Sequence, residues 1–139
     1  MAIARKILTE THKRQVVLAT GVASETDQVL IDVSAFTNAS TNPRCSIAGI
    51  KWALVTSSAT ANNSILLEWD GTTDQTIMRL TGNGSIDLSL NAYPTISPPT
   101  ALAGFTGDIL LTTGSAVTAY TIIIDIHKTS GISTDYYDS

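Results

Sequence analysis

The stretch Tyr120–His127, YTIIIDIH, decides the fold. Tyr120, Ile122, Ile124 and Ile126 fall on one side of an extended chain, and Thr121, Ile123, Asp125 and His127 on the other. Successive side chains of a strand point to opposite faces, so apolar residues at a period of two mark a strand with one buried face. The same alternation recurs upstream. It places Val29, Ile31 and Val33 together in Gln28–Ser34, Ile50, Trp52 and Leu54 in Ile50–Val55, Ile65, Leu67 and Trp69 in Ser64–Asp70, and Ile86, Leu88 and Leu90 in Ser85–Leu90. Gln75–Leu80 and Asp108–Thr112 are shorter runs, and Lys6–Leu8 with Gln15–Ala19 forms a candidate first pair. No window carries a 3.6-residue period. The one helix candidate, Ala2–Leu8, is short and uncapped.

Turn chemistry separates these runs: Asp70-Gly71, Gly82-Asn83-Gly84, Ser97-Pro98-Pro99, Gly104 with Gly107, and Thr113-Gly114-Ser115. Short alternating strands with turns this frequent predict an all-β fold, a single antiparallel β-sandwich of about eight strands, jelly-roll or Ig-like. Asp70-Gly71 places a hairpin between Ser64–Asp70 and Gln75–Leu80. Two stretches read as long loops. Phe36–Cys45 is polar and punctuated by Asn42-Pro43; Asn91–Phe105 holds three of the four prolines and is apolar for a loop, with Tyr93, Ile96, Leu102 and Phe105. The second loop is either a rigid contact surface or a cover over one end of the core. The organisation expected is an N-terminal arm or edge strand over residues 1–14, a sandwich domain over 15–130, and a polar tail over 131–139. In that tail Tyr136 and Tyr137 either anchor on a neighbour or fray.

The chain has 139 residues, 43% hydrophobic, enough for one packed core. Charged residues are only 14%, and 21 Thr with 14 Ser fill the gap. A Thr-rich, charge-poor exterior suits a protein that hides much of its surface in an assembly. The net charge of −4 argues against nucleic acid as a partner. The charge is uneven: residues 1–20 hold Arg5, Lys6, Lys13 and Arg14 against Glu10, whereas the rest is strongly acidic. Either the basic segment docks on an acidic surface, or a short strand merely exposes its charged face. The start lacks the apolar run of a secretory leader, and no stretch approaches a membrane span, so synthesis in a cytoplasm and no membrane partner are expected.

The search for chemistry returns little. His12 sits beside Lys13 and Arg14, and His127 ends a strand beside Asp125; no GxSxG elbow supports a Ser-His-Asp triad. Cys45 is alone, so there is neither a disulfide nor a zinc pattern; Arg44 beside it is the one feature that favours a reactive thiol. Gly82-Asn83-Gly84-Ser85 lacks the lysine of a phosphate loop and reads as a turn. Glu68 with Asp70 or Asp74 is a paper candidate for a glycosidase couple or a weak Ca²⁺ site, with a solvated hairpin edge as the plainer reading. Trp52 and Trp69 lie on apolar faces and read as core rather than as a sugar platform. The sequons at Asn38, Asn62 and Asn83 read as loop composition. No enzyme, metal or cofactor is expected.

Five phrases carry a resemblance: Ile47-Ala48-Gly49-Ile50-Lys51-Trp52; Ile65-Leu66-Leu67-Glu68-Trp69-Asp70; Leu80-Thr81-Gly82-Asn83-Gly84 with Ile86-Asp87-Leu88; Gly107-Asp108-Ile109-Leu110-Leu111-Thr112-Thr113; and Tyr120-Thr121-Ile122-Ile123-Ile124. Together they resemble the small virion structural proteins of tailed phages, over Ile47–Lys128. The resemblance implies a β-sandwich displayed in many copies on a particle, and it transfers no functional residue. The expectation is a capsid decoration, or cement, protein on the capsid surface, bound to the major capsid protein and to itself as a dimer or trimer. Arg5, Lys6, Lys13 and Arg14 would meet acidic partners, and Tyr93, Ile96, Leu102 and Phe105 would add apolar contact. Two rivals remain: a tail or fibre component that recognises a host-surface glycan or protein, and a small hydrolase or isomerase on a jelly-roll scaffold. The missing histidine cluster of metal-binding jelly rolls counts against the latter.

Overall fold

The computed structural model describes residues 3–22, 24–58, 60–88 and 95–133. Nine strands follow one another: β1 (Ala4–Glu10), β2 (Arg14–Val22), β3 (Gln28–Ile31), β4 (Ala39–Thr56), β5 (Ser64–Trp69), β6 (Gln75–Thr81), β7 (Asn83–Asp87), β8 (Ile109–Thr113) and β9 (Val117–Ile132). A single 3₁₀ turn, Val33–Ala35, is capped by the Asp32 carboxylate, which accepts from the Ser34 amide. The strands form two antiparallel sheets, ordered β1-β2-β9-β4-β7 and β3-β8-β5-β6. Only β1→β2 and β5→β6 stay within one sheet; every other connection crosses the sandwich. With β1 set aside, this interleaved order is a jelly roll, which decides between the two sandwich topologies.

The core is the space between the sheets. Val17, Ala19, Ile47, Ile50, Ile122, Ile124 and Ile126 face it from the five-stranded sheet, and Leu30, Ile65, Leu67, Trp69, Leu80, Ile109 and Leu111 from the other. Burying each large side chain here contributes about 1.5–3 kcal/mol. The Tyr120–Ile126 alternation is therefore the spine of the molecule: β9 lies in the middle of its sheet, paired on one side with β2 and on the other with β4. Gly82 turns the corner between β6 and β7 alone, at φ +59°, a conformation that favours glycine. The Asp70-Gly71 hairpin joins β5 to β6 as the alternation predicts.

Four local expectations change. Phe36–Cys45 is not a long loop, because β4 begins at Ala39 and register shifts between Ala39 and Cys45 absorb the irregularity. Asn42 takes φ +51° there, and Pro43 sits at a bulge, where a missing amide donor is tolerated. In Gln28–Ser34 a register shift between Val29 and Ile31 breaks the alternation. Leu30 and Ile31 are both buried, whereas Val29 is half-buried. The helix candidate Ala2–Leu8 is strand from Ala4 onward, since a lone seven-residue helix without an apolar stripe cannot compete with a full ladder to β2. The expected Ser85–Leu90 strand ends at Asp87, and its last two residues lie outside the described residues.

Candidate functional site

Register aligns the outward side chains of the five-stranded sheet into rows. Lys6, Leu18, Ile123, Lys51 and Ser85 form one row, and Thr9, Val16, Asp125, Gly49 and Asp87 the next. Further along lie Thr20, Thr121 and Ala53, and then Val22, Ala119 and Val55. Val22 and Val55 are 50% and 62% exposed, so the far end of this face is an open apolar patch. Gly49 contributes no side chain, and a groove of about 260 Å³ opens there between Arg14, Val16, Lys51, Asp87, Ile123 and Asp125. Arg14 grips both oxygens of Asp125 at 3.0 Å each. That bidentate pair engages both oxygens of Asp125 and offsets its charge.

The basic N-terminal residues are distributed over this sheet. Ala4–Glu10 is its edge strand, with a register shift between Ile7 and Thr9, and with Ile7 and Leu8 46% and 45% exposed. Arg5 Nε donates to the Leu30 carbonyl at 3.0 Å and thereby ties β1 to the edge of the other sheet. Lys6 and Lys13 are exposed. The other end of the hairpin is fastened by Lys128, whose ammonium is fully buried. It donates to Glu10 Oε2 at 2.9 Å, the Thr11 carbonyl at 2.7 Å and Asn38 Oδ1 at 2.7 Å, and lies 4.8 Å from the centre of the Phe36 ring. Asn38 in turn donates to the His12 and Ser133 carbonyls. Burial pushes the Glu10 carboxyl up, but the hydrogen bonds from Lys128 and Thr37 and the lysine's charge outweigh it and hold the group below its ordinary value.

The described part of the second loop packs Ile96, Leu102 and Phe105 against the core. Ile96 exchanges two backbone hydrogen bonds with Ile47, both at 2.9 Å. Leu102 packs on the core and against Gly71, whose Cβ position would lie 2.8 Å from it. Phe105 meets Trp69 edge-to-face at 5.8 Å, with the Arg44 guanidinium 4.7 Å above its ring. These three half-buried residues close one end of the sandwich. The reason is that Trp69 and its neighbours would otherwise meet water. Tyr93, Tyr136 and Tyr137 lie outside the described residues.

The remaining candidates separate. Cys45 is buried on the core face of β4, and burial first, then the charge of Asp108, raises its thiol to about 12. Such a thiol is inert, and Arg44 does not activate it. Trp69 is core; Trp52 is half-buried over Gly84 and donates from Nε1 to the Thr81 carbonyl at 2.8 Å. On the outward face of the four-stranded sheet, Glu68 and Asp74 come together, joined by Asp27, with carboxylate oxygens all within 4.8 Å. Asp70 is elsewhere, accepting from Thr106 Oγ1 at 2.8 Å. Partial burial raises the Glu68 pKa, and the charges of Asp74 and Asp27 raise it further.

Two features escape a sequence reading. One is the buried pair in which Tyr120 OH donates to Glu25 Oε2 at 2.8 Å, leaving Glu25 Oε1 with no protein partner. Nothing local marks Glu25, because its partner is nearly a hundred residues away. The other is Lys128, and it had a signal. The buried series Tyr120, Ile122, Ile124, Ile126 has Lys128 as its next member, so alternation itself puts a lysine on the core face. Compared with known proteins, the chain matches no family model, no curated protein and no solved structure.

Proposed function

We propose that the chain is a structural protein of a virion, a capsid decoration protein of a tailed phage that binds the outer capsid lattice and stabilises it. The observation that carries the reading is the outward face of the five-stranded sheet. It is broad and rich in Thr and small apolar residues, and it bears Lys6, Arg14 and Lys51, with Lys13 at its corner. Surfaces of this kind gain more from being covered by protein than from acting on a small molecule. The jelly roll is a common scaffold of capsid domains, which supports the reading by analogy only. Binding confined to the assembled lattice stabilises every occupied site by mass action, and the effect is multiplied over the shell.

The test is cosedimentation of the purified chain with undecorated heads. Removing residues 1–14 is unsuitable, because it deletes β1 and strips Lys128 of Glu10 and Thr11. Charge reversal at the exposed Lys6 and Lys13 leaves the ladder intact. Binding that falls with both reversals, and falls with salt, supports acidic capsid partners. Binding of the native chain to glycans rather than to heads would replace this reading with a tail or fibre receptor.

A further inference from the structure

The charge asymmetry along the sequence becomes an asymmetry between two faces. On the outward face of the five-stranded sheet Asp125 is neutralised by Arg14, and Lys6 and Lys51 stand on one row without an acidic partner among the described residues. On the outward face of the four-stranded sheet Asp27, Glu68 and Asp74 crowd together. The cation nearest them in the ladder, Arg79, pairs across from Leu66 and donates to Ser64. Asp87 on the first face and Arg79 on the second temper the contrast, but the first keeps a cationic row and the second an acidic cluster. We infer that these two faces bind each other between copies, so that the five-stranded sheet of one chain receives the four-stranded sheet of the next, with Lys6 and Lys51 straddling the second copy's Asp27, Glu68 and Asp74.

Geometry suits this pairing. Lys6 and Lys51 are separated by β2 and β9, three strand spacings or about 14 Å, and their flexible stems flank Leu18 and Ile123. A carboxylate group 4.8 Å across fits between them, over that apolar floor. Like-with-like pairing is disfavoured, since two five-stranded faces would oppose four lysines and two four-stranded faces six carboxylates. The repulsion that Asp74 and Asp27 add to burial at Glu68 would be relieved by incoming ammonium groups. Four strands of four to seven residues offer on the order of 400 Å² per partner, so the contact is weak, driven by charge and dependent on multiplicity. A head-to-tail contact of this kind builds rings or short columns rather than a closed two-fold dimer.

This inference deepens the many-copy role proposed above. It is tested on the isolated chain, so loss of self-association and loss of particle binding are separate outcomes. Sedimentation of the native chain at low ionic strength should show concentration-dependent association that weakens about tenfold or more in 0.5 M salt. Two neutralised chains, Lys6→Ser with Lys51→Ser and Asp27→Asn with Glu68→Gln and Asp74→Asn, should each be monomeric. Mixed in equal amounts they retain one intact pair of faces and should form a 1:1 heterodimer that grows no further. A native chain that stays monomeric at low salt overturns the inference. So does a mixture that stays monomeric while both variants keep the native circular dichroism, or a single variant that associates like the native chain.

Discussion

Replacing Lys128 by methionine keeps an unbranched stem but removes an ammonium that serves three acceptors. The Thr11 carbonyl and Asn38 Oδ1 lose their donor, and Glu10 keeps the Thr37 amide at 2.9 Å and the Gln15 side chain. Each buried acceptor left unpaired costs about 1–3 kcal/mol, and the contact with the Phe36 ring is worth a further ~0.5–2 kcal/mol. Against this, the methionine side chain is cheaper to bury than an ammonium. The balance resembles that of breaking a buried ion pair from one side, about 3–5 kcal/mol. For a urea dependence of about 2 kcal/mol/M the unfolding midpoint should fall by about 2 M. Hydrogen exchange should quicken at the amides of Ala4–Glu10, which the network fastens. Glu10 is held below its ordinary pKa, so its contribution is complete above the unfolded carboxylate value and is lost as pH falls through the lower folded one. The gap between native and variant should therefore narrow in acid. A midpoint within about 0.5 M of native, or effects of Lys128→Met and Glu10→Gln that simply add, would refute the reasoning.

Further outcomes follow from the same geometry. Tyr120→Phe strips Glu25 of its one side-chain donor among the described residues and should cost about 1–3 kcal/mol in chemical denaturation. Gly107→Ala puts a side chain at φ +94°, with Cβ 2.6 Å from the Pro43 carbonyl; a loss of at least about 2 kcal/mol is expected, read as a lowered melting temperature. The Cys45 thiol should resist a thiol reagent at pH 8 until the chain is unfolded, and rapid labelling of native protein would contradict its burial. Glu68→Gln should raise stability at neutral pH by a few tenths of a kcal/mol. A raised folded pKa penalises the charged form above it, so the gain should vanish below about pH 4.

The strands were legible where burial is one-sided and the ladder regular. Tyr120–Ile126 and Ser64–Trp69 bury every second residue, as their sequences read. Legibility failed where a bulge or an edge altered the phase. At Val29–Ile31 the register shift buries two consecutive residues, and at Asn42-Pro43 loop-like chemistry sits within a strand. Strand order is another matter, because nothing in Arg14–Val22 names Ala119–His127 as its neighbour; only the interleaved topology does. The candidate site was half visible. The basic N-terminal residues are plain in the sequence, but Lys51 joins them only through register, and Asp27 joins Glu68 and Asp74 only because β8 lies between β3 and β5.

The position of β9 bears on how the molecule is made. Both β2 and β4 find their partner in β9, which follows all the other described strands in the chain, and Arg14 waits for His127. Until that strand arrives, two long apolar ribbons have open edges at what will be the middle of a sheet. Pairings this distant in sequence slow folding and lengthen the interval in which nascent chains can adhere to one another. Final closure is thus an insertion of β9 between β2 and β4. A fragment ending before residue 117 should remain unfolded, and a separate peptide spanning 117–132 should be able to complete it.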